Sequence, residues 1–147
     1  MLDSASNTPP HLSPPAVLLV EAEPMLRLTM SKFLRRSGCR VIACADAGTG
    51  ATALTHGVIR PALIVLGTRV LNAELTQAAH RLHELAPHAP MLGIADTMGP
   101  QASDATSLPP GLRFLAPPFD FPDVLRAVRS CLRHAGFRLP DAELIEV

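Results

Sequence analysis

The stretch Pro61-Ala62-Leu63-Ile64-Val65-Leu66-Gly67 decides the fold of this chain. Its apolar residues follow one another without alternation, which is typical of a strand buried on both faces of a parallel sheet. Pro61 opens the stretch and Gly67 ends it. In open parallel sheets, ligands and chemistry gather just beyond the carboxyl ends of the strands. Gly67 therefore stands where a functional side chain is expected, and it has none.

Strands and helical segments alternate on both sides of this stretch. Further strands are predicted at 16–20, 40–45, 91–95 and 113–116. Helices are predicted from Pro24 to just before Gly38, at 47–58, from about residue 72 to Pro87, and from Asp120 to Gly136. A fifth helical segment within 96–111 is expected to be short, because that segment is rich in Pro and Gly. This alternation specifies an α/β fold, a doubly wound five-stranded parallel sheet of the flavodoxin-like type.

Apolar residues recur at helical spacing in three of the predicted helices, and in the third helix they define the buried side. In the first helix, Met25, Leu26, Leu28, Met30, Phe33 and Leu34 supply this spacing. In the third helix they are Leu71, Leu75, Ala78, Leu82 and Leu85. In the last helix they are Phe121, Val124, Leu125, Val128 and Leu132, and Asp120 and Asp123 frame its start like a capping box.

Length and composition predict one domain with two tails. Of 147 residues, 1–15 form a Pro-rich segment expected to be disordered, 16–134 form the domain, and 135–147 form a short tail. The 13 basic and 13 acidic residues give zero net charge, which argues against binding to nucleic acid or an anionic membrane. No apolar run approaches the ~20 residues of a membrane span. Cys39, Cys44 and Cys131, with no signal peptide before them, are interpreted as buried thiols in a cytoplasmic protein.

Three turns give the chain a resemblance to the receiver domain of bacterial two-component response regulators. Residues 17–24 (Val-Leu-Leu-Val-Glu-Ala-Glu-Pro) resemble the opening strand and acidic turn of that family. Residues 45–48 (Ala-Asp-Ala-Gly) resemble the turn after its second strand. Residues 114–119 (Phe-Leu-Ala-Pro-Pro-Phe) resemble its fifth strand and the Lys-Pro-Phe turn that follows. The resemblance covers about residues 16–134.

The resemblance implies phosphoryl transfer from a histidine to an aspartate, at positions that are mostly empty here. The family's Mg²⁺-binding acidic pair corresponds to Glu21 and Ala22, and its nucleophilic Asp corresponds to Gly67. Its hydroxyl residue corresponds to Ala95 and its lysine to Pro117, while the only lysine, Lys32, lies in the first helix. Thr68, Asp96 and Thr97 lie close by, but a one-residue shift along a strand turns a side chain to the other face. The interpretation is a pseudo-receiver: the fold without the reaction, no enzyme activity, no metal and no cofactor.

Two groups of side chains on the predicted helices have a structural and a functional interpretation. His80 and His83 lie one helical turn apart, but they are interpreted as a solvated helix face, because no Cys or carboxylate stands at ligand spacing. Arg126, Arg129 and Arg133 are interpreted as the exposed face of the last helix, with a partner contact as the alternative. The Pro117-Pro118 peptide bond is expected to be cis, as the resemblance implies and as X-Pro bonds permit.

The sequence therefore predicts a non-phosphorylatable signalling module that acts by protein–protein contact. The expected partner is a histidine kinase, a phosphotransfer protein or another regulator, and a homodimer is possible in principle. Interaction residues are expected among Met25, Phe114, Pro118 and Phe119. Two alternatives stay open: a receiver phosphorylated at another residue, and a regulator that binds a small molecule in the room left by Gly67 and Ala22.

Overall fold

A computed structural model describes residues 14–68, 73–95, 109–115 and 118–139. Five strands form one sheet: β1 (Ala16–Val20), β2 (Arg40–Cys44), β3 (Leu63–Thr68), β4 (Met91–Ala95) and β5 (Leu112–Leu115). The helices of the described ranges are α1 (Pro24–Arg36), α2 (Ala47–Thr55), α3 (Ala73–Leu85) and α4 (Phe121–His134). Every strand pair is parallel and the order is β2-β1-β3-β4-β5, so the predicted fold is confirmed.

The strand order reverses beside β1, and this reversal determines where the candidate site lies. The chain passes from β1 outward to β2 and then returns to β3 on the other side of β1. Val20 at the end of β1 pairs with Leu66 of β3. The residues one step further along each strand are Glu21 and Gly67, so the two carboxyl ends meet at a topological switch point, where ligands of such sheets bind.

Both faces of the sheet are buried, as the unbroken apolar run of β3 predicts. Val17, Leu19, Leu63 and Val65 belong to one core cluster, with residues of α1 and α4. Leu18, Val20, Ile64 and Leu66 belong to a second cluster, with residues of α2 and α3. Because successive strand side chains alternate between faces, the central strands supply both clusters at once.

The ends of α1 form as predicted, and its buried face is narrow. Pro24 is its first residue, the Glu23 carboxylate accepts the Leu26 N–H, and Gly38 follows its end with a φ of 106°. Of the apolar residues that supply its helical spacing, only Met30 and Leu34 are buried, together with Ser31. At 100° per residue, Met25 and Leu28 lie about 140° and 160° from Met30 and so face away from the sheet. Leu26, in the first turn, is also exposed, and Phe33 is half-buried.

The buried face of α3 is shifted from the prediction. Ala79 and Leu82 are fully buried, Ala78 is half-buried and Leu85 is exposed. Leu85 is the last helical residue and does not belong to the second core cluster, whereas the next residue, Ala86, packs against it. The other two predicted contacts cannot be compared, because Leu71 and the side chain of Leu75 lie outside the described residues.

Element boundaries elsewhere differ by one to three residues. The predicted second strand ends one residue too late, β5 begins at Leu112, one residue earlier than predicted, and β3 continues through Thr68. The predicted second helix is three residues too long, because α2 ends at Thr55 and Gly57 then adopts a φ of 69°. Most of 96–111 lies outside the described residues, as do 1–13 and 140–147.

The last helix follows its prediction closely. Asp120 and Asp123 form a reciprocal capping box, and Val124, Leu125, Val128, Cys131 and Leu132 are buried. Gly136, with a φ of 90°, ends the helix in the left-handed conformation that glycine tolerates. Beyond it, Phe137 and Leu139 pack against the first core cluster.

The three cysteines are free and buried. Cys39 and Cys44 belong to different core clusters and so lie on opposite faces of the sheet. Burial raises the pKa of the Cys39 thiol to about 11, and burial is also the main cause that raises the pKa of Cys44 and Cys131. Thiols in this state pack as small hydrophobic groups and are poor nucleophiles.

Within the described ranges, none of the helices is both long and apolar enough to cross a membrane.

The N-cap of α2 gives a pH-dependent prediction. The Thr49 backbone N–H and hydroxyl donate to the Asp46 carboxylate and lower its pKa. A carboxyl with a lowered folded-state pKa stabilises the fold above its unfolded pKa, and this stabilisation disappears as pH falls through the folded value. We expect Asp46→Asn, which keeps the cap acceptor but removes the charge, to flatten the acid limb of thermal stability below about pH 4. Melting temperatures of both proteins from about pH 2 to 7 test this; parallel curves would contradict it.

Candidate functional site

The side chain of Glu21 occupies the space beside Gly67. A Cβ atom placed on the backbone of Gly67 would lie 2.8 Å from Cδ of Glu21 and closer still to its Oε1. A real Cβ atom essentially never approaches another heavy atom so closely. The room expected directly beside Gly67 is therefore filled by the carboxylate of Glu21, the residue that follows β1.

Glu21 is held firmly in this position. Its residue is only 5% exposed, and its Oε2 accepts the Glu23 N–H at 2.8 Å. Its own N–H donates to the Cys44 carbonyl at 2.9 Å, which continues the β1–β2 pairing by one residue. Because both its backbone and its carboxylate are bound, the side chain is directed inward toward β3 rather than outward to solvent.

The two residues that follow Glu21 in the turn after β1 have structural roles. Ala22 is exposed and brings no ligand group, while the carboxylate of Glu23 is used as the N-cap of α1. The Arg27 guanidinium donates to the carbonyls of Glu21 and Ala22, at 2.9 and 3.3 Å. This clamp ties the turn to the second turn of α1. Arg27 was not singled out from the sequence, since an arginine within a helix gives no sign that it folds back onto the preceding turn.

The structure places the other two predicted site residues only in part. Ala95 ends β4 and pairs with Thr68, so its backbone lies at the same edge of the sheet as Gly67. Pro117 lies outside the described residues, and the predicted cis bond to Pro118 with it. No group of three or more His, Cys, Asp or Glu that is suited to a metal ion occurs among the described residues. The site therefore brings together Glu21, Gly67 and the end of β4, and of these described residues only Glu21 carries a carboxylate.

A second close approach joins β4 and β5. Gly93 pairs with Phe114, and a Cβ atom at Gly93 would lie 2.7 Å from the Phe114 ring. The half-buried ring therefore lies directly on the glycine backbone. Gly93 is a residue that the sequence analysis missed; a glycine inside an otherwise apolar strand is a signal of such an approach.

The interaction residues expected from the sequence lie in different environments. Met25 is 66% exposed on the outward side of α1, and Pro118 is also exposed. Phe119 is half-buried and packs against the first core cluster, as does Phe121, whose ring lies 5.3 Å from that of Phe33. His80 is exposed and His83, one helical turn later, is half-buried.

The fold is shared with solved structures, although the sequence matches none of the protein-family models or curated proteins compared with it. A response regulator receiver protein from Sinorhizobium medicae superposes with a TM-score of 0.70 at 22% identity, covering 84% of this chain and 98% of that one. A CheY-like receiver domain protein from Methanospirillum hungatei gives 0.72 at 17% identity, with the same two coverages.

A third structure is the receiver domain of a sensor histidine kinase from Pseudomonas aeruginosa. It gives a TM-score of 0.66 at 21% identity and covers 82% of this chain and 99% of that one. That structure has a magnesium ion coordinated in its active site cleft. Across nearly their whole lengths, these three domains share one architecture with the chain described here, which has the fold of response regulator receiver domains.

Proposed function

We propose that this chain is a receiver-fold module of two-component signalling that takes up no phosphoryl group at the strand-end site and acts through contacts with other proteins. One observation carries the proposal: the Glu21 carboxylate lies where a side chain at position 67 would be. The neighbouring receiver structures support the signalling context.

The chemistry of phosphoryl transfer explains why this arrangement disfavours the reaction. The acceptor must present a free oxygen in line with the phosphorus, and cations must neutralise the charge that develops on the equatorial oxygens. Mg²⁺ prefers six oxygen ligands in octahedral geometry. Among the described residues of the site, the Glu21 carboxylate is buried and bound to the Glu23 N–H, while Ala22 and Gly67 offer no side-chain ligand atom. The module is accordingly proposed to be no enzyme and to need no cofactor.

The exposed apolar side chains of α1 support a role in protein contact. Met25 and Leu28 are 66% and 47% exposed on the side of the helix that faces away from the sheet. Leu26 adds further apolar surface at the same end of the helix. Exposed apolar groups that lie together mark contact surfaces more often than isolated ones do. We propose a protein partner from the same signalling class, namely a histidine kinase, a phosphotransfer protein or another regulator, in the cytoplasm.

Incubation with acetyl phosphate and Mg²⁺ tests the proposal. We expect the intact mass of the chain to stay unchanged, because among the described residues no carboxylate at the strand ends is both exposed and supported by a metal site. A receiver domain with the full acidic set serves as the positive control under the same conditions. Addition of one phosphoryl group would overturn the proposal, and fragmentation of the modified chain would then locate the acceptor residue.

The thermal response to Mg²⁺ gives an independent prediction. A ligand that binds only the native state raises its stability by RT ln(1 + [L]/Kd). Because position 22 and position 67 bring no oxygen ligand, we expect no rise in melting temperature on adding Mg²⁺ at millimolar concentration. Calorimetric scans with Mg²⁺ and with a matched concentration of a monovalent salt make the comparison. A rise in melting temperature that is specific to Mg²⁺ would show a site for a divalent cation and would contradict the prediction.

A further inference from the structure

The C-terminal end of α4 carries a concentrated positive charge on a neutral chain. From Val124 to Leu139 the sequence holds four arginines and no Asp or Glu, although the net charge of the whole chain is zero. Arg126 is neutralised locally, since its guanidinium forms an ion pair with Asp123 one turn earlier. The remaining three are Arg129, Arg133 and Arg138, and all three line one cleft of about 180 Å³.

The turn after α4 builds this cleft. The Gly136 N–H donates to the Arg133 carbonyl at 3.0 Å, and the Phe137 N–H donates to the Leu132 carbonyl at 2.9 Å. This pair of bonds, with Gly136 at a φ of 90°, is the Schellman arrangement that reverses the chain at a helix end. The reversal carries Arg138 back beside Arg129 and Arg133, which are themselves one helical turn apart.

The cleft has an apolar part that is anchored to the fold. Phe137 and Leu139 both line it, and both pack against the first core cluster. Arg129 is half-buried and already engaged in interactions within the fold. Arg133 and Arg138 are exposed, so the cleft offers two solvent-facing guanidinium groups beside a fixed apolar surface. None of its five described lining residues is acidic.

We infer that this cleft, formed by Arg129, Arg133, Phe137, Arg138 and Leu139, docks an acidic segment of a partner protein that carries a carboxylate next to an apolar side chain. Guanidinium groups bind carboxylates through two parallel hydrogen bonds, which gives both charge and directional specificity. The anchored Phe137 and Leu139 provide a surface for the apolar side chain. A nucleic acid fits less well, because the chain as a whole has no positive field to attract a polyanion.

This inference is independent of the strand-end site. The cleft involves neither Glu21 nor Gly67, so it stands whether or not the chain is phosphorylated. It also gives one chemical criterion for a partner, beyond the apolar surface of α1.

Fluorescence anisotropy with a labelled octapeptide of alternating Leu and Glu tests the inference on the full chain. The matched peptide has Lys in place of each Glu. We expect the acidic peptide to bind, the basic peptide not to bind, and affinity to fall as salt rises from about 50 to 500 mM. Equal binding of the two peptides, or tighter binding of a single-stranded oligonucleotide, would overturn the inference.

Charge reversal within and outside the cleft separates a site from general attraction. We expect R133E/R138E to weaken binding of the acidic peptide by about tenfold or more, because each lost ion pair is replaced by a repulsive carboxylate. R133K/R138K keeps the charge but loses the paired hydrogen bonds and should show a smaller loss. The control R40E/R60E changes the net charge equally at two exposed arginines elsewhere, and it should bind within about twofold of the wild type. An equal loss in the control would overturn the inference.

One further variant addresses the acidic residues that follow the cleft in the sequence, Asp141, Glu143 and Glu146. In D141N/E143Q/E146Q these carboxylates are neutralised. Binding of the peptide to this variant but not to the wild type would show that the chain's own carboxylates take the place of a partner, and would overturn the inference as stated. Similar binding to both proteins would support it.

Discussion

Replacing Gly67 with Asp is expected to destabilise the chain by about 2–4 kcal/mol and to leave it without a phosphorylation site. The new Cβ would overlap the Glu21 carboxylate, so Glu21 must leave its position and give up its bond to the Glu23 N–H. The new carboxylate would also lie beside an existing one in a partly buried place. Chemical denaturation measures the loss, and intact mass after treatment with acetyl phosphate and Mg²⁺ measures phosphorylation.

Gly67→Asn is the matched control, since Asn has the size of Asp without its charge. We expect Asn to cost less than Asp at pH 7, and the difference to shrink at acidic pH, where protonation removes the repulsion between the two carboxyl groups. A Gly67→Asp protein of wild-type stability that accepts a phosphoryl group would show that Glu21 does not block the position.

Gly93→Ala is expected to destabilise the chain by about 1–3 kcal/mol, although it adds one methyl group. Its Cβ would lie 2.7 and 2.9 Å from two atoms of the Phe114 ring, and Gly93 is buried between β3 and β5. Either the ring or the strand must move. Urea denaturation of Gly93→Ala and wild type measures the difference.

Two comparisons isolate the ring as the cause. In a Phe114→Ala background, adding Gly93→Ala should cost almost nothing. Gly50→Ala is the control for a buried glycine with ordinary space, because its Cβ would meet its nearest neighbour at 3.4 Å. Gly50 lies in α2, where Ala is favoured over Gly by about 0.5–1 kcal/mol. The stability of Gly50→Ala should therefore equal or exceed that of the wild type. A similar loss in both backgrounds would show that Phe114 is not responsible.

The fold was predictable because its signals are local and agree with one another. The unbroken apolar run of β3 indicates burial on both faces, and the capping box of α4 marks a helix start within one residue. The buried face of α1 was less predictable. Met25 and Leu28 contribute to the same helical spacing as the buried Met30 and Leu34, yet their angular position points them into solvent. Periodicity alone does not tell an apolar contact surface from an apolar core.

The position of the candidate site could be predicted from the sequence, but the side chain that occupies it could not. The sequence predicts that Gly67 stands at a strand end and has no side chain. It did not show that Glu21, from a neighbouring strand, supplies a carboxylate to the same place. That knowledge requires the register between β1 and β3, which pairs Val20 with Leu66, and the inward direction set by the Glu23 N–H. The Schellman turn that forms the arginine cleft could not be predicted either, because it depends on backbone geometry.

A double-mutant cycle between positions 21 and 67 tests most directly whether Glu21 fills this site. Gly67 has no left-handed φ, so Ala is compatible with its backbone. In the wild-type background we expect Gly67→Ala to cost about 1–2 kcal/mol, through displacement of the Glu21 carboxylate. In a Glu21→Ala background the same substitution should be neutral or stabilising by up to about 1 kcal/mol. The predicted coupling free energy is therefore about 1–3 kcal/mol. Equal effects of Gly67→Ala in both backgrounds would show that Glu21 does not occupy the place of a side chain at position 67.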